Sequence, residues 1–298
     1  MHYSGTTTAA GRADTRRGTR LPLGRLRAFI GNKNNLLGTM ILGPIVVLAV
    51  VAPVLPIPDP LAPDLRASLV GPSLDHPFGT DKLGRDIFSR TLSGLRVSLI
   101  VGFSAATIAL TLGMVLGTIA GFMGKTVDMA VSAVVDMFLA FPSLLLAIGF
   151  IAVFGPGLWQ VILAISLSDA PRAVRLQRSL ALSLKTRTYI DAARMASAPT
   201  WWLLIKHVLP NTIAPMLVVG SIYAANAILA EAALSFLGLG LVPPEPSLGN
   251  LIADGREYLR EAWWISTLPG LVIVIVSISL HFFSDGIREN LDPRAAGH

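Results

Sequence analysis

The segment "TYIDAARMASAPTWWLLIKHVLPN", residues 188–211, is polar and charged, yet it lies between two long apolar stretches. A loop that only joined two membrane helices would need far fewer residues. Prolines at positions 199 and 210 divide the segment and close it. The sequence therefore predicts a compact folded element outside the lipid, shaped to fit a partner that this chain does not contain.

The composition of the whole chain is that of a membrane protein. Of the 298 residues, 53% are hydrophobic and only 14% are charged, and the mean hydropathy is +0.64. Apolar runs of about 20 residues are typical of membrane-spanning helices. The chain has no cysteine, which excludes disulfides and thiolate metal sites. The net charge of +6 comes from basic residues beside the apolar runs, so nucleic acid is not an expected partner.

The apolar stretches predict six transmembrane helices. They cover residues 36–55, 97–123, 129–154, 157–170, 212–239 and 263–283. The third is interrupted by Asp136 and Pro142, and the fourth is short, with Asp169 expected at its inner end. Glycines 113, 117 and 121 are spaced by four residues, a spacing that lets helix backbones approach closely.

Lysine and arginine residues orient these spans, because positive charge is retained on the cytoplasmic side. With the amino terminus inside, the inner segments hold 17 of the 24 Lys and Arg residues and the outer segments hold 7. Both termini and the segment 188–211 are then cytoplasmic. Residues 1–35 are too long and too polar for a signal peptide and are interpreted as a cytoplasmic tail, with an amphipathic surface segment at 21–30 as an alternative for that piece.

The polar stretch predicts two short helices lying across the membrane face. Pro199 is expected to end the first helix near Ala198, and the Thr200 hydroxyl to cap the second. One stripe of the first helix carries an aromatic and small residues: Tyr189, Ala192, Ala193 and Ala196. Such a thin face fits a groove on another protein. An ordinary amphipathic helix at the lipid headgroups is an equally good interpretation of the residues alone.

This segment resembles the EAA loop of ABC-transporter permeases, whose pattern is Glu-Ala-Ala, three residues, Gly, nine residues and Ile-x-Leu-Pro. Asp191-Ala192-Ala193 corresponds to its start, Ser197 stands at the glycine, and residues 207–210 (HVLP) correspond to its end. Two positions depart from the pattern. Aspartate shortens the acidic arm by one methylene, and serine places a Cβ at the turn.

Four further stretches resemble the permeases of dipeptide, oligopeptide and nickel importers. They are residues 76–102 (HPFGTDKLGRDIFSRTLSGLRVSLIVG), 136–148 (DMFLAFPSLLLAI), 231–259 (EAALSFLGLGLVPPEPSLGNLIADGREYL) and 285–294 (DGIRENLDPR). That family usually has an arginine near position 133, where this chain has Ala133. The matches extend over most of the chain from about residue 29, and they resemble the second permease of such an importer, the dipeptide permease C type.

The resemblance implies an all-α integral membrane protein with six transmembrane helices, in the type I ABC importer permease fold with a cytoplasmic coupling helix. It implies a multi-pass protein of a prokaryotic inner membrane. The implied organisation is a cytoplasmic tail (1–35), a first helix with an external loop (36–96), a permease core (97–285) that contains the coupling segment (172–210), and a second cytoplasmic tail (286–298).

The resemblance also implies partners for this chain in the lipid bilayer. A homologous permease would complete a heterodimer, and an extracytoplasmic binding protein would deliver di- or oligopeptides, or related cargo such as nickel chelates. Two cytoplasmic ATPases, or one fused ATPase, would bind ATP and Mg²⁺. The chain has no G-x-x-x-x-G-K-[ST] sequence and no hydrolase or metalloprotease motif, so no catalytic residue, cofactor or metal ligand is expected in it.

Three groups of residues are candidates for function. The resemblance assigns contact with the ATPase to five residues of the EAA-like segment: Asp191, Ala192, Ala193, Arg194 and Ser197. Charges within spans are costly, which makes Asp136 and Glu231 candidates for the translocation path. The alternatives are that Asp136 only marks the membrane interface and that Glu231 pairs with the partner permease. The external loop carries an ion cluster that either braces the outer mouth, contacts the binding protein or only satisfies the loop itself: Asp81, Arg85 and Asp86.

Two other classes of protein are alternatives to an ATP-driven permease. An ion-coupled secondary carrier works without an ATPase, but such carriers show internal repeats and ionisable groups within broken helices. This sequence has few charges within its spans and no clear internal duplication. An intramembrane enzyme would need motifs that the chain lacks.

Overall fold

The computed structural model describes residues 33–291, and every regular element within them is helical. The predicted tails, 1–35 and 286–298, lie outside this range except for residues 33–35, which begin the first helix, and residues 286–291, which end the last helix. Within it the α-helices are α1 (Lys33–Val51), α2 (Ile87–Phe122), α3 (Lys125–Leu139), α4 (Ser143–Phe154), α5 (Leu158–Lys185), α6 (Thr188–Met195), α7 (Thr200–Leu203), α8 (Leu209–Phe236), α9 (Leu248–Gly255) and α10 (Trp264–Leu291). A π-helical turn, Leu204–Val208, joins α7 to α8.

Helix α2 is the central element, and it packs along α5 and α8. The close approach to α5 depends on the glycine series. A Cβ added at Gly117 would lie 2.6 Å from the Val174 carbonyl oxygen, and one added at Gly121 would lie 2.8 Å from the Ala181 Cβ. Both distances are too short for a side chain, so the prediction that these glycines allow close helix contact is confirmed.

The predicted number of six spans is not confirmed by the length and apolar character of the helices. Among residues 33–291, four helical segments are long and apolar enough to cross a membrane: Leu36–Val54, Ile87–Phe122, Thr200–Phe236 and Trp264–Glu289. Helices α3 and α4 make a fifth if they are counted together, although they are bent by 88° where the sequence has Pro142. Helix α5, which contains the predicted fourth span, does not reach the same apolar character, because charged residues begin at Asp169.

Helix α5 contains two boundaries that the sequence predicted to lie between separate elements. It runs past Pro171 to Lys185, so the predicted end of the fourth span and the predicted start of the coupling segment both fall within one helix. Its second half is held by packing against α2 and by Gln177, whose Nε2 donates to the hydroxyls of Thr118 (2.7 Å) and Thr212 (2.9 Å). These buried contacts, which hydropathy does not register, keep the helix continuous.

Candidate functional site

The segment predicted to contact a partner folds as α6, a tight turn and α7, attached to the ends of α2 and α5. Its inward-facing side chains, Ile190 and Leu203, are buried in one apolar cluster with Phe122 of α2 and Ala181 of α5. Val208 of the π-helical turn joins the same cluster. The segment is therefore fixed to the helical bundle through its apolar side chains rather than lying loosely on the surface.

The turn between α6 and α7 is built around Ser197. The Ser197 N–H donates to the Arg194 carbonyl (2.9 Å), and the Ala198 N–H donates to the Ala193 carbonyl (3.1 Å). This pair of bonds is the Schellman arrangement, which ends a helix on a residue in the left-handed region, usually glycine. Ser197 occupies that position with φ = 61°. The serine thus adopts the backbone conformation for which the related pattern uses glycine.

Two local predictions for this segment are corrected. Helix α6 ends at Met195, before the predicted Ala198, because the turn at Ser197 ends it rather than Pro199. The Thr200 hydroxyl makes no capping bond to α7, whose N-cap position is occupied by Pro199. Within α6 the buried residue is Ile190, whereas Tyr189 and Ala192 of the predicted stripe are exposed.

Four of the five predicted coupling residues lie on the exposed side of this segment: Asp191, Ala192, Arg194 and Ser197. Ala193 is half-buried against the apolar cluster. Asp191 and Arg194 form an exposed ion pair at 3.4 Å. Two apolar side chains of the same segment, which the sequence analysis did not include among the coupling residues, are also exposed: Met195 (87% exposed) and Trp201 (64% exposed). Exposed apolar side chains beside an ion pair are typical of a protein contact surface.

The external cluster is largely satisfied within the loop. The buried Asp81 carboxylate accepts hydrogen bonds from the N–H groups of Leu83 (2.8 Å) and Arg85 (3.0 Å), and it pairs with the Arg85 guanidinium at 2.7 Å. Asp86 caps α2 by accepting from the Ser89 N–H at 2.7 Å. Asp81 and Asp86 therefore brace the loop against the start of α2, whereas contact of Arg85 with another protein remains a prediction.

Glu231 of α8 is fully buried, with 0% of its surface exposed. Its carboxylate accepts hydrogen bonds from the hydroxyls of Ser98 on α2 (2.7 Å) and Ser235 on α8 (2.8 Å). Glu231 is therefore a buried polar link between α2 and α8 in this structure, and its place on the translocation path stays a prediction.

Asp136 remains accessible, with its side chain 63% exposed. Its carboxylate lies 2.5 Å from Arg175 on α5. A second pair, Asp128 with Arg178, joins the same two helices nearby. These two ion pairs make the surface between α3 and α5 polar. The place of Asp136 on a pathway stays a prediction.

A separate cleft of about 300 Å³ opens between α4, α5 and α8. Its polar lining includes Asp169 and Arg172, which form an ion pair at 2.7 Å, and Tyr223 and Asn226 from α8. The sequence analysis placed Asp169 at the inner end of a span, but the residue lies near the middle of α5. Arg172, Tyr223 and Asn226 were missed. For Tyr223 and Asn226, the sequence signal that could have identified them was the presence of polar residues within the apolar run of α8.

Comparison with known proteins shows the family to which this chain belongs. Residues 113–297 match the family described as binding-protein-dependent transport system inner membrane component. The chain belongs to this family. The permease is 41% identical over 268 residues to a putative peptide transport system permease protein of Brucella abortus, covering 90% of each chain.

Two further relatives of the permease carry dipeptide names. It is 40% identical over 263 residues to the dipeptide transport system permease protein DppC of Alkalihalophilus pseudofirmus, covering 88% of this chain and 86% of the relative. It is 42% identical over 217 residues to the di/tripeptide transport system permease protein DppC of Pseudomonas aeruginosa, covering 73% and 72%.

A solved structure resembles the permease in fold. The MetNI methionine ABC transporter in an inward-facing conformation matches 69% of this chain and 98% of its own, with a TM-score of 0.57 and 19% sequence identity. This likeness shows the fold alone. The permease thus has the type I ABC importer fold that the sequence predicted.

Proposed function

We propose that this permease forms, with a homologous permease, the membrane pathway of an ATP-driven importer of di- or oligopeptides. The observation that supports this most is the 40–41% identity, over about nine-tenths of the chain, to relatives named as peptide and dipeptide transport permeases. An extracytoplasmic binding protein delivers the cargo, and cytoplasmic ATPases supply the energy. No observation favours the ion-coupled carrier.

The surface formed by α6, its turn and α7 is the proposed contact with the ATPase. Asp191 and Arg194 supply charge for hydrogen bonds across the interface, and Met195 and Trp201 supply exposed apolar area beside them. Ile190 and Leu203 pack the segment onto α2 and α5, so a push on this surface is passed to helices that traverse the bundle.

Replacing Ala192 with Trp tests the coupling surface, because Ala192 is exposed and the half-buried Ala193 is not free of the core. We expect Ala192→Trp to insert normally in the membrane but to lose ATPase association and peptide uptake by about tenfold or more, since bulk at an interface is worth roughly 1–3 kcal/mol. Co-purification with the ATPases and uptake into proteoliposomes measure both effects.

The matched control is Ala152→Trp, an exposed alanine on α4 outside the proposed surface, which should retain ATPase association and uptake. Unchanged complex formation and uptake in Ala192→Trp would contradict the coupling surface. Uptake by the permease alone in liposomes, without ATPases or a second permease, would contradict the proposed function itself.

A further inference from the structure

We propose that the cleft between α4, α5 and α8 is a carboxylate-binding subsite, which holds the carboxylate of a peptide as it crosses the membrane. This inference rests on the proposed function, because it assigns a place in the fold to the same cargo. The carboxylate is supplied either by the peptide's C-terminus or by an acidic side chain.

The position of the cleft points to transport rather than to lipid. Asp169 and Arg172 flank the middle of α5, and Tyr223 stands at the middle of α8, within a segment apolar enough to span a membrane. Asn226, one turn further along α8, is exposed. Ionisable and polar groups at such depth face the bundle interior or a water-filled cavity, because hydrocarbon does not solvate them.

The lining combines apolar walls with a few polar groups from different helices. Leu144 and Ala147 of α4 and Ile165 of α5 form the walls. The charged pair belongs to α5, and Tyr223 and Asn226 come from α8. A volume near 300 Å³ with this lining is that of a small-ligand site.

Two groups in the cleft have hydrogen-bond donors to spare. Arg172 is 46% exposed and donates through Nη1 to Asp169, but its other N–H groups bond to no described residue. Tyr223 is 9% exposed, and its hydroxyl likewise makes no hydrogen bond within residues 33–291. Tyr223 lines the cleft and its hydroxyl is not fully enclosed, so it can donate a hydrogen bond to whatever occupies the cleft.

The start of α4 adds to the preference for an anion. Its first residues, Ser143 and Leu144, line the cleft, and the N-cap residue Pro142 offers no side-chain cap. The N–H groups of a first helical turn lack partners within the helix and carry the positive end of its dipole. The spare donors of Arg172, Tyr223 and α4 thus converge on one cleft, where Asp169 holds the guanidinium in place.

The test uses the complete transporter in proteoliposomes and compares uptake of a peptide with that of its C-terminal amide. We expect Arg172→Gln to lower the acid-to-amide uptake ratio about tenfold, as expected from the loss of a charge-assisted hydrogen bond. Tyr223→Phe should lower it less. Because the binding protein is the same throughout, its own selectivity cancels. Arg288→Gln, an exposed arginine of α10, is the control and should keep the ratio.

A charge exchange separates a ligand site from a structural ion pair. The double variant Asp169→Arg with Arg172→Asp keeps an ion pair in α5 but reverses its order, and we expect the ratio to stay low while ATP hydrolysis persists. Restoration of the wild-type ratio would overturn the subsite. An amidated peptide that carries one glutamate identifies which carboxylate is bound. If Arg172→Gln lowers the uptake of this peptide as it lowers that of the free acid, the subsite accepts any carboxylate. If Arg172→Gln lowers only the uptake of the free acid, the subsite binds the C-terminus.

Failure of the subsite and failure of the proposed function give different results. If the wild-type transporter imports peptides and Arg172→Gln keeps the same acid-to-amide ratio, the subsite is wrong and the function stands. If the wild-type transporter imports no peptide while hydrolysing ATP, the proposed cargo is wrong, and the subsite is overturned with it.

Discussion

Ser197 is the residue at which the coupling surface changes direction. Its φ of 61° places a side chain in a backbone region that costs roughly 1–2 kcal/mol for residues with a Cβ. Glycine adopts this region freely but loses more entropy on folding, so the net gain from Ser197→Gly is expected to be about 0.5–1 kcal/mol. The apparent Tm of the purified transporter should rise accordingly.

Ser183→Gly is the matched control for this prediction. Ser183 is exposed within α5 at an ordinary helical position, where glycine is expected to cost about 0.5 kcal/mol and lower the apparent Tm. A fall in Tm for Ser197→Gly, similar to that for Ser183→Gly, would show that the left-handed turn is absent in the assembled transporter.

Glu231 gives a second prediction at the scale of a residue. Glu231→Ala leaves the hydroxyls of Ser98 and Ser235 without their acceptor in the core, and each unpaired buried group costs about 1–3 kcal/mol. We expect a large fall in the apparent Tm and in the amount of permease recovered from the membrane. Glu245→Ala, at an exposed position in the loop before α9, should leave both unchanged. Equal stability of the two variants would contradict the buried link.

The sequence located these two residues better than it assigned their roles. The EAA-loop pattern placed Ser197 at the turn, because the spacing of Asp191, Ser197 and Pro210 along the chain matches the spacing of that pattern. It did not reveal which way Glu231 faces, because a single charge in an apolar run is compatible with a pathway, a partner or the interior. The serines that satisfy Glu231 include Ser98 on another helix, and that proximity is a property of packing.

Packing between helices explains what hydropathy did not reveal at the scale of an element. Hydropathy placed the end of the fourth span near Ala170 because charged residues follow, yet α5 continues to Lys185. Its polar residues have partners on neighbouring helices: Gln177 bonds to Thr118 and Thr212, and Arg178 pairs with Asp128. A hydropathy window measures the polarity of α5 but not these partners, so it marks the end of the apolar run and not the end of the helix.

The glycines of α2 were predicted correctly because their spacing is itself the helical contact pattern. Gly117→Ala adds a Cβ 2.6 Å from the Val174 carbonyl oxygen and should force α2 and α5 apart, at a cost of about 1–3 kcal/mol. A lower apparent Tm of the purified transporter is the expected result. Gly149→Ala on α4 meets nothing within 4 Å and should leave the Tm unchanged or raise it. Equal tolerance of both alanines would contradict the close α2–α5 contact.

At the scale of the whole molecule, two surfaces lie at opposite ends of the bundle helices. The external loop is tied to the start of α2 through Asp86 and to α10 through Trp264, whose Nε1 donates to the Thr80 carbonyl at 3.1 Å. The proposed coupling surface is attached to the other end of α2 through Phe122. Because α2 is one continuous helix, a movement at one of its ends is transmitted to the surface at the other end, as an importer requires.

The orientation predicted from the distribution of lysine and arginine can be measured directly, because the chain contains no cysteine. Single cysteines placed at Leu74, which is fully exposed in the external loop, and at Met195, which is exposed on the coupling surface, report the two sides of the membrane. With a membrane-impermeant maleimide on intact cells or spheroplasts, we expect Leu74→Cys to be labelled and Met195→Cys to remain unlabelled until the membrane is permeabilised. The cysteine-free wild type supplies the background. Labelling of Met195→Cys in intact spheroplasts would place the coupling surface outside the cell, where no cytoplasmic ATPase reaches it, and both the orientation and the ATP-driven mechanism would then be wrong.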